Sequence, residues 1–413
     1  MTKSLTSLWL KSLRRVGKAQ QAQGQKFFNT LLTTALRTPS APPAKAAKKA
    51  VKKIAAQSLR SATAGSLKVA KALAPVATRR KAGAPAAKAA RPARAAPARA
   101  PAALPTAAGN WKKSFFTLPA QGLAPARRMM YWLYLPSGRT GAALPLVIML
   151  HGCKQTATDF AASTRMNALA ERKGFAVLYP QQSQAADANR CWHWYRRATQ
   201  QGEGDVALIA GLVRQVQARH RLDASRTYAA GLSAGAGLAA ILALRHPRLI
   251  AALGLHSAPV FGTSDSPMSG FQAMQQGASV MHQEVVREFT GEAVGFPGMP
   301  VILVQGKNDP VVRRVNLDHL QAQFALINAP LLTSPVPVVR SYPGRSSGRS
   351  PRHAYKTATH YAGRRPMVVK CEVDHLGHAW SGGEGGLDYS APEGPDATLL
   401  LWAFFSRQQR LPA

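Results

Sequence analysis

Tyr228-Ala229-Ala230-Gly231-Leu232-Ser233-Ala234-Gly235-Ala236-Gly237 is the stretch on which the reading of this chain turns. A strand-like run meets an Ala- and Leu-rich helical pattern through a bend of very small residues, and G-x-S-x-G sits at the bend. So tight a strand-to-helix turn lifts the serine hydroxyl above the strand ends, and it needs glycines where a Cβ would collide. The pentapeptide alone is common in small-residue turns. The strand before it and the helix after it select Ser233 as a nucleophile. Ala234 would then open the helix, with a backbone N–H that has no intrahelical acceptor and is free to meet an oxyanion.

Outward from this turn the pattern repeats. Short β-rich runs are expected at 114–118, 130–135, 144–150, 176–179, 227–230, 251–255, 301–305 and 368–373. Helical patterns lie between them at 159–173, 205–220, 234–245, 270–289 and 313–327, with a last helix at 396–407 entered through Asp396 as N-cap. The runs Leu146-Val147-Ile148-Met149-Leu150 and Val301-Ile302-Leu303-Val304 are apolar without alternation, as strands covered on both faces must be. The expected fold is α/β, a mostly parallel eight-stranded sheet flanked by helices.

A serine hydroxyl is a weak nucleophile near neutrality and needs a base and an orienting acid, which in this architecture follow it as acid and then histidine. Asp309 lies in the loop after the 301–305 strand, whereas Asp265 and Asp318 do not follow a strand closely. After the last strand, Asp374-His375-Leu376-Gly377-His378-Ala379-Trp380 offers two histidines. His378, in the glycine-rich part of the loop, is preferred over His375 as the base. The loop after the 144–150 strand, His151-Gly152-Cys153-Lys154-Gln155, supplies the Cys153 N–H as second oxyanion donor. No HExxH or CxxC spacing occurs, so neither metal nor cofactor is expected.

Charge divides the 413 residues. The net charge is +36; residues 1–110 hold 22 Lys and Arg, and the first acidic residue is Asp159. Residues 1–37 place Leu5, Trp9, Leu13 and Val16 at helical spacing among basic residues, a basic amphipathic segment. Residues 38–110, rich in Ala, Lys, Arg and Pro, read as a disordered linker, and 111–413 as the catalytic domain. The basic arm suits an anionic surface (a granule, a membrane or nucleic acid) or else serves as a solubilising tether. Three cysteines exclude a disulfide-stapled mini-fold, and no run of 18 apolar residues marks a membrane span. The short apolar stretch Leu8-Trp9-Leu10 makes no secretory signal, so a cytoplasmic location, on a granule, is expected over an extracellular one.

Four motifs in the same order, His151-Gly152-Cys153-Lys154-Gln155, Asn189-Arg190-Cys191-Trp192-His193-Trp194-Tyr195, Gly231-Leu232-Ser233-Ala234-Gly235 and Gly377-His378-Ala379-Trp380-Ser381-Gly382-Gly383, resemble the polyhydroxybutyrate depolymerase family of esterases. That family stands near the feruloyl and acetylxylan esterases. The resemblance, over about residues 112–410, implies an α/β-hydrolase fold and ester cleavage by Ser233, Asp309 and His378. It also implies a Cys153–Cys191 disulfide and an extracellular location. Short-chain hydroxyalkanoate esters or their polymer are the expected substrates, with acylated polysaccharide second. Trp192, Trp194, Tyr195 and Trp380 are candidates for lining the substrate groove, against the plainer reading that they are core.

Overall fold

The computed structural model describes residues 107–120, 125–138, 141–291, 296–347 and 351–410. The amphipathic segment expected over 1–37, and all but the last four residues of the linker expected over 38–110, lie outside them.

Ten strands form one sheet: β1 (Asn110–Leu118), β2 (Arg127–Leu135), β3 (Leu144–Leu150), β4 (Ala176–Gln181), β5 (Leu222–Leu232), β6 (Ala252–His256), β7 (Val301–Gly306), β8 (Val338–Tyr342), β9 (Tyr355–Ala362) and β10 (Arg365–Val373). Their order across the sheet is β1-β2-β4-β3-β5-β6-β7-β10-β9-β8. Neighbours from β4 through β10 pair in parallel. The two strands at each end are antiparallel additions. This is the α/β-hydrolase architecture.

Alternation along β3 shows how the sheet divides the core. Leu146, Ile148 and Leu150 join one apolar cluster, while Val147 and Met149 join the other. Helices α4 (Asp205–His220), α5 (Ala234–Arg245), α6 (Pro267–Gln276), α7 (His282–Thr290) and α8 (Val315–Asn328) cover the first face, and the one-turn α3 (Arg197–Gln200) leads into α4. Helices α1 (Ala157–Thr164), α2 (Met166–Lys173) and α9 (Ala397–Phe405) cover the second. Every residue of β3, β4, β6 and β7 is buried, which is why 146–150 and 301–304 read as unbroken apolar runs.

Each of the eight expected strands falls on an observed one and ends within two residues of it, but β1, β2, β5 and β10 begin three to five residues earlier than expected, and the sheet has ten strands rather than eight. The additional β8 and β9 come from residues 338–362, before the last strand, where no strand is expected from the sequence. Residues 338–341 of β8 are all exposed, so no apolar alternation marks that edge strand. Two expected helices are each divided. The 159–173 pattern breaks at Arg165, left-handed at φ 53°, whose guanidinium hydrogen-bonds the Gly382 carbonyl and pairs with Asp396 at 3.4 Å. A tertiary contact sets that break, and nothing in the local sequence announces it. The 270–289 pattern breaks at Gly277, φ 77°, where a Cβ would stand 2.4 Å from His319 Nδ1.

Candidate active site

β5 runs into α5 through Ser233 alone, and Ser233 has φ 58° and ψ −122°. A side-chain-bearing residue held in such a region costs about 1–3 kcal/mol and persists only where its surroundings over-determine it. Here the Ser233 N–H donates to the His256 carbonyl at 2.9 Å, and its own carbonyl accepts from the Gly237 N–H at 3.0 Å. The glycines on either side are obligatory. A Cβ on Gly231 would lie 2.5 Å from the Gly235 carbonyl carbon, and one on Gly235 would lie 2.1 Å from the Leu150 oxygen. Both obstacles are backbone. Gly235→Ala is therefore expected to lower stability by about 3 kcal/mol or more in chemical denaturation. A change below about 1 kcal/mol would show that the bend can open.

The other expected residues converge on this turn. Asp309, buried in the loop after β7, accepts at Oδ1 from the Val311 and Val312 N–H groups, both at 2.9 Å. Its Oδ2 meets Gln305 Nε2 at 3.0 Å and His378 Nδ1 at 2.8 Å. Burial alone would raise this carboxyl. The charge and hydrogen bond of His378, with the Val312 and Val311 amides, outweigh it and hold the group below the ordinary aspartate value. With Nδ1 engaged, His378 keeps Nε2 for a second partner. Ser233 and His378 line the same small cavity, together with Gly152, Cys153, Gln155, Leu232 and Tyr389. His375, the rival base, is exposed and faces His353 at a ring distance of 5.9 Å. Asp265 serves the α6 N-terminus through Ser269, and Asp318 pairs with Lys370 and Arg314.

The loop carrying Cys153 is fastened from several sides. Cys153 and Cys191 form a disulfide with Cα atoms 4.3 Å apart, and the Lys154 N–H donates to the Asn189 carbonyl at 2.6 Å. Beneath the loop, the Gln182 N–H donates to His151 Nε2 at 3.1 Å, so Nδ1 carries the proton and meets the Gly152 carbonyl at 2.8 Å. Burial drives His151 down to about 4 against the pull of that carbonyl, and the Arg190 charge lowers it further. The ring is neutral at pH 7. Ala234 is the first residue of α5, where the helix leaves its N–H without an internal acceptor.

The four candidate groove aromatics require correction. Trp192, Trp194, Tyr195 and Trp380 are at most 1% exposed, and none of them lines the cavity. They support the site from within. Trp192 Nε1 donates to the His151 carbonyl at 3.0 Å, and Trp194 packs against Gly237 of α5. Their size and apolar rings were the only sequence signal, and those properties suit a core as well as a groove.

Two residues emerge that the sequence did not single out. His256, at the carboxyl end of β6, holds Ser233 through its carbonyl and accepts the Ser381 N–H at Nε2, at 3.2 Å. It also stacks on Trp380 with ring centroids 5.1 Å apart. One buried residue thus joins the serine turn, through its carbonyl, to the histidine loop, through its ring, and burial lowers that ring to about 3. Its position at a strand end beside β5 was the available clue. Tyr389 reaches the cavity because β11 (Trp380–Ser381) pairs with β12 (Ser390–Ala391), folding the loop back over the site. Cys371 is a buried strand residue whose thiol is pushed up to about 12 by burial. Among the described residues no three His, Cys, Asp or Glu side chains converge as a metal-binding group.

Known proteins place this geometry in a family. The profile of the esterase PHB depolymerase family matches residues 129–335, half of the chain, including Cys153, Cys191, Ser233 and Asp309. The chain belongs to the esterase PHB depolymerase family. It is 29% identical over 260 residues to poly(3-hydroxyalkanoate) depolymerase C of Paucimonas lemoignei, covering 62% of this chain and 59% of that protein. It is 30% identical over 158 residues to a probable acetylxylan esterase A of Aspergillus fumigatus, covering 37% of this chain and 41% of that one. The chain thus spans less than two thirds of the length of these curated relatives. Among solved structures, acetyl xylan esterase from Aspergillus awamori superposes with a TM-score of 0.51 at 20% identity, over 64% of this chain and 94% of that one. That likeness concerns the fold.

Proposed function

We propose that this esterase-family chain hydrolyses carboxylic esters through Ser233, His378 and Asp309, and that short-chain hydroxyalkanoate esters and oligomers are its substrates. The observation that carries the reading is the 2.8 Å contact of His378 Nδ1 with buried Asp309, on a histidine that shares one cavity with the strained Ser233. His378 Nε2 takes the proton as Ser233 Oγ attacks the acyl carbon. The oxygen that gains charge is met by the Cys153 and Ala234 N–H groups, which the disulfide and the helix start hold in place beforehand. The proton then passes to the departing alcohol. Water, deprotonated by the same imidazole, frees the acid and restores the serine. The relative named for poly(3-hydroxyalkanoate) supports the substrate class. The Cys153–Cys191 bridge favours an oxidising compartment over the cytoplasm expected from the N-terminal sequence.

The test is turnover of p-nitrophenyl butyrate, hydroxybutyrate oligomers, acetylated xylan and a feruloyl sugar by the full chain. It is paired with labelling by a serine-directed fluorophosphonate and mass mapping of the adduct. Hydrolysis with the adduct on Ser233 is expected. Failure to turn over any of these esters, or an adduct elsewhere, would remove the assignment, and preference for the sugar esters would replace the substrate.

A further inference from the structure

A second, larger cleft of about 710 Å³ opens near the Ser233 cavity. The reaction proposed above makes no use of it. Both lie at the same rim of the sheet: Met130 of β2 stands opposite Gln181, the last residue of β4, and both line the cleft. The segment that bounds the small cavity through Gly152, Cys153 and Gln155 continues directly into Thr156 and Thr158, which form a wall of the large one.

The cleft brings three guanidinium groups together, on Arg127, Arg128 and Arg190. Arg127 is paired with Asp205 at 2.6 Å. Arg128 lies over the Phe115 ring at 4.0 Å, and among the described residues neither Arg128 nor Arg190 meets a carboxylate. Like charges gathered in one concavity repel, and a cleft with partly apolar walls concentrates anions. Phe115, Met130 and Trp132 supply those walls. The complement of such a site is a ligand with an apolar body and an anionic end.

Distance fixes how such a ligand would reach the serine. Neighbouring strands are about 4.8 Å apart, and β4 and β2 are two and three strands from β5. The cleft therefore begins roughly 10–14 Å from Ser233. A four-atom ester repeat advances somewhat more than the peptide's three-atom 3.3–3.6 Å, about 4.5 Å. Two or three repeats bridge the gap.

We propose that this cleft holds the free carboxylate end of a hydroxyalkanoate oligoester, two to three repeats from the ester bond presented to Ser233. The claim rests on the esterase reading and specifies its substrate as the acid-terminated oligomer. Hydrolysis then leaves the carboxylate on the alcohol fragment, released as a short hydroxyacid oligomer, while the acyl fragment passes to Ser233 and then to water.

The experiment compares kcat/KM of the full chain on hydroxybutyrate trimer and tetramer as free acids with their methyl esters at the carboxyl end. A preference of tenfold or more for the free acids is expected, residing in KM and weakening as salt is raised. In Arg190→Gln and in Arg128→Gln the ratio of free-acid to capped kcat/KM should fall toward one, with capped-ester turnover reporting that each variant is folded. Equal treatment of free and capped oligomers by the unaltered chain, or an unchanged ratio in both variants, would overturn the proposal while leaving the esterase reading intact. Loss of all ester turnover in the unaltered chain would overturn the esterase reading itself.

Discussion

Ser233→Ala should lower kcat on a soluble ester by about 10⁵- to 10⁶-fold with little change in KM. The size follows from what the variant keeps. Asp309 and His378 remain paired, the Cys153 and Ala234 amides proposed as oxyanion donors stay in place, and only the oxygen proposed to form the acyl bond is gone. Residual hydrolysis of roughly 10³- to 10⁴-fold over water would persist from the oxyanion donors and binding alone. The fold should be kept, because alanine occupies φ 58° with a strain like that of serine and the backbone bonds to His256 and Gly237 are untouched. Asp309→Asn should cost about 10⁴-fold, since an amide in place of the carboxylate stabilises the wrong imidazole tautomer. Steady-state kinetics on purified, folded variants decides the matter. An alanine variant retaining a hundredth of kcat would mean that another group attacks.

The second large effect is on stability in mild acid. His151 and His256 are buried and neutral, lowered to about 4 and about 3, while in the unfolded chain each takes a proton near pH 6.5. Between those values the unfolded state binds more protons, so stability falls as pH drops from about 6.5. At pH 4 the loss is on the order of 3 kcal/mol for each ring, a large part of the 5–15 kcal/mol available to a typical domain. Asp309 contributes in a separate window. Its folded value lies below the unfolded one, so its stabilisation is present above about pH 4 and is lost as pH falls through the folded value. Urea midpoints measured from pH 7.5 to pH 4 should therefore drop steeply below 6.5, and His256→Gln should flatten part of that slope. An unchanged slope in His256→Gln would show that this ring is not a source of the acid sensitivity.

The contrast between the two kinds of histidine explains what was readable in advance. His378 stood in a loop whose glycines and position after the last strand announced it. His256 lies in a strand end that reads as ordinary core, and its part in the site depends on a neighbour 125 residues away, Ser381. Trp192, Trp194, Tyr195 and Trp380 failed in the opposite direction. Aromatic side chains near a motif look like substrate walls, but a large ring lowers the free energy most where it is fully buried, and that is where these four are found.

Local pattern was enough for the parallel strands, the serine turn and the N-cap at Asp396. Each of these is governed by sterics and hydrophobic period within a few residues of itself. Tertiary contact alone decided where Arg165 and Gly277 divide the helices, and that β8 and β9 extend the sheet. It also placed Arg127, Arg128 and Arg190 together in one cleft. Those outcomes depend on groups brought together from distant parts of the chain, and no local run of residues records the distances between them.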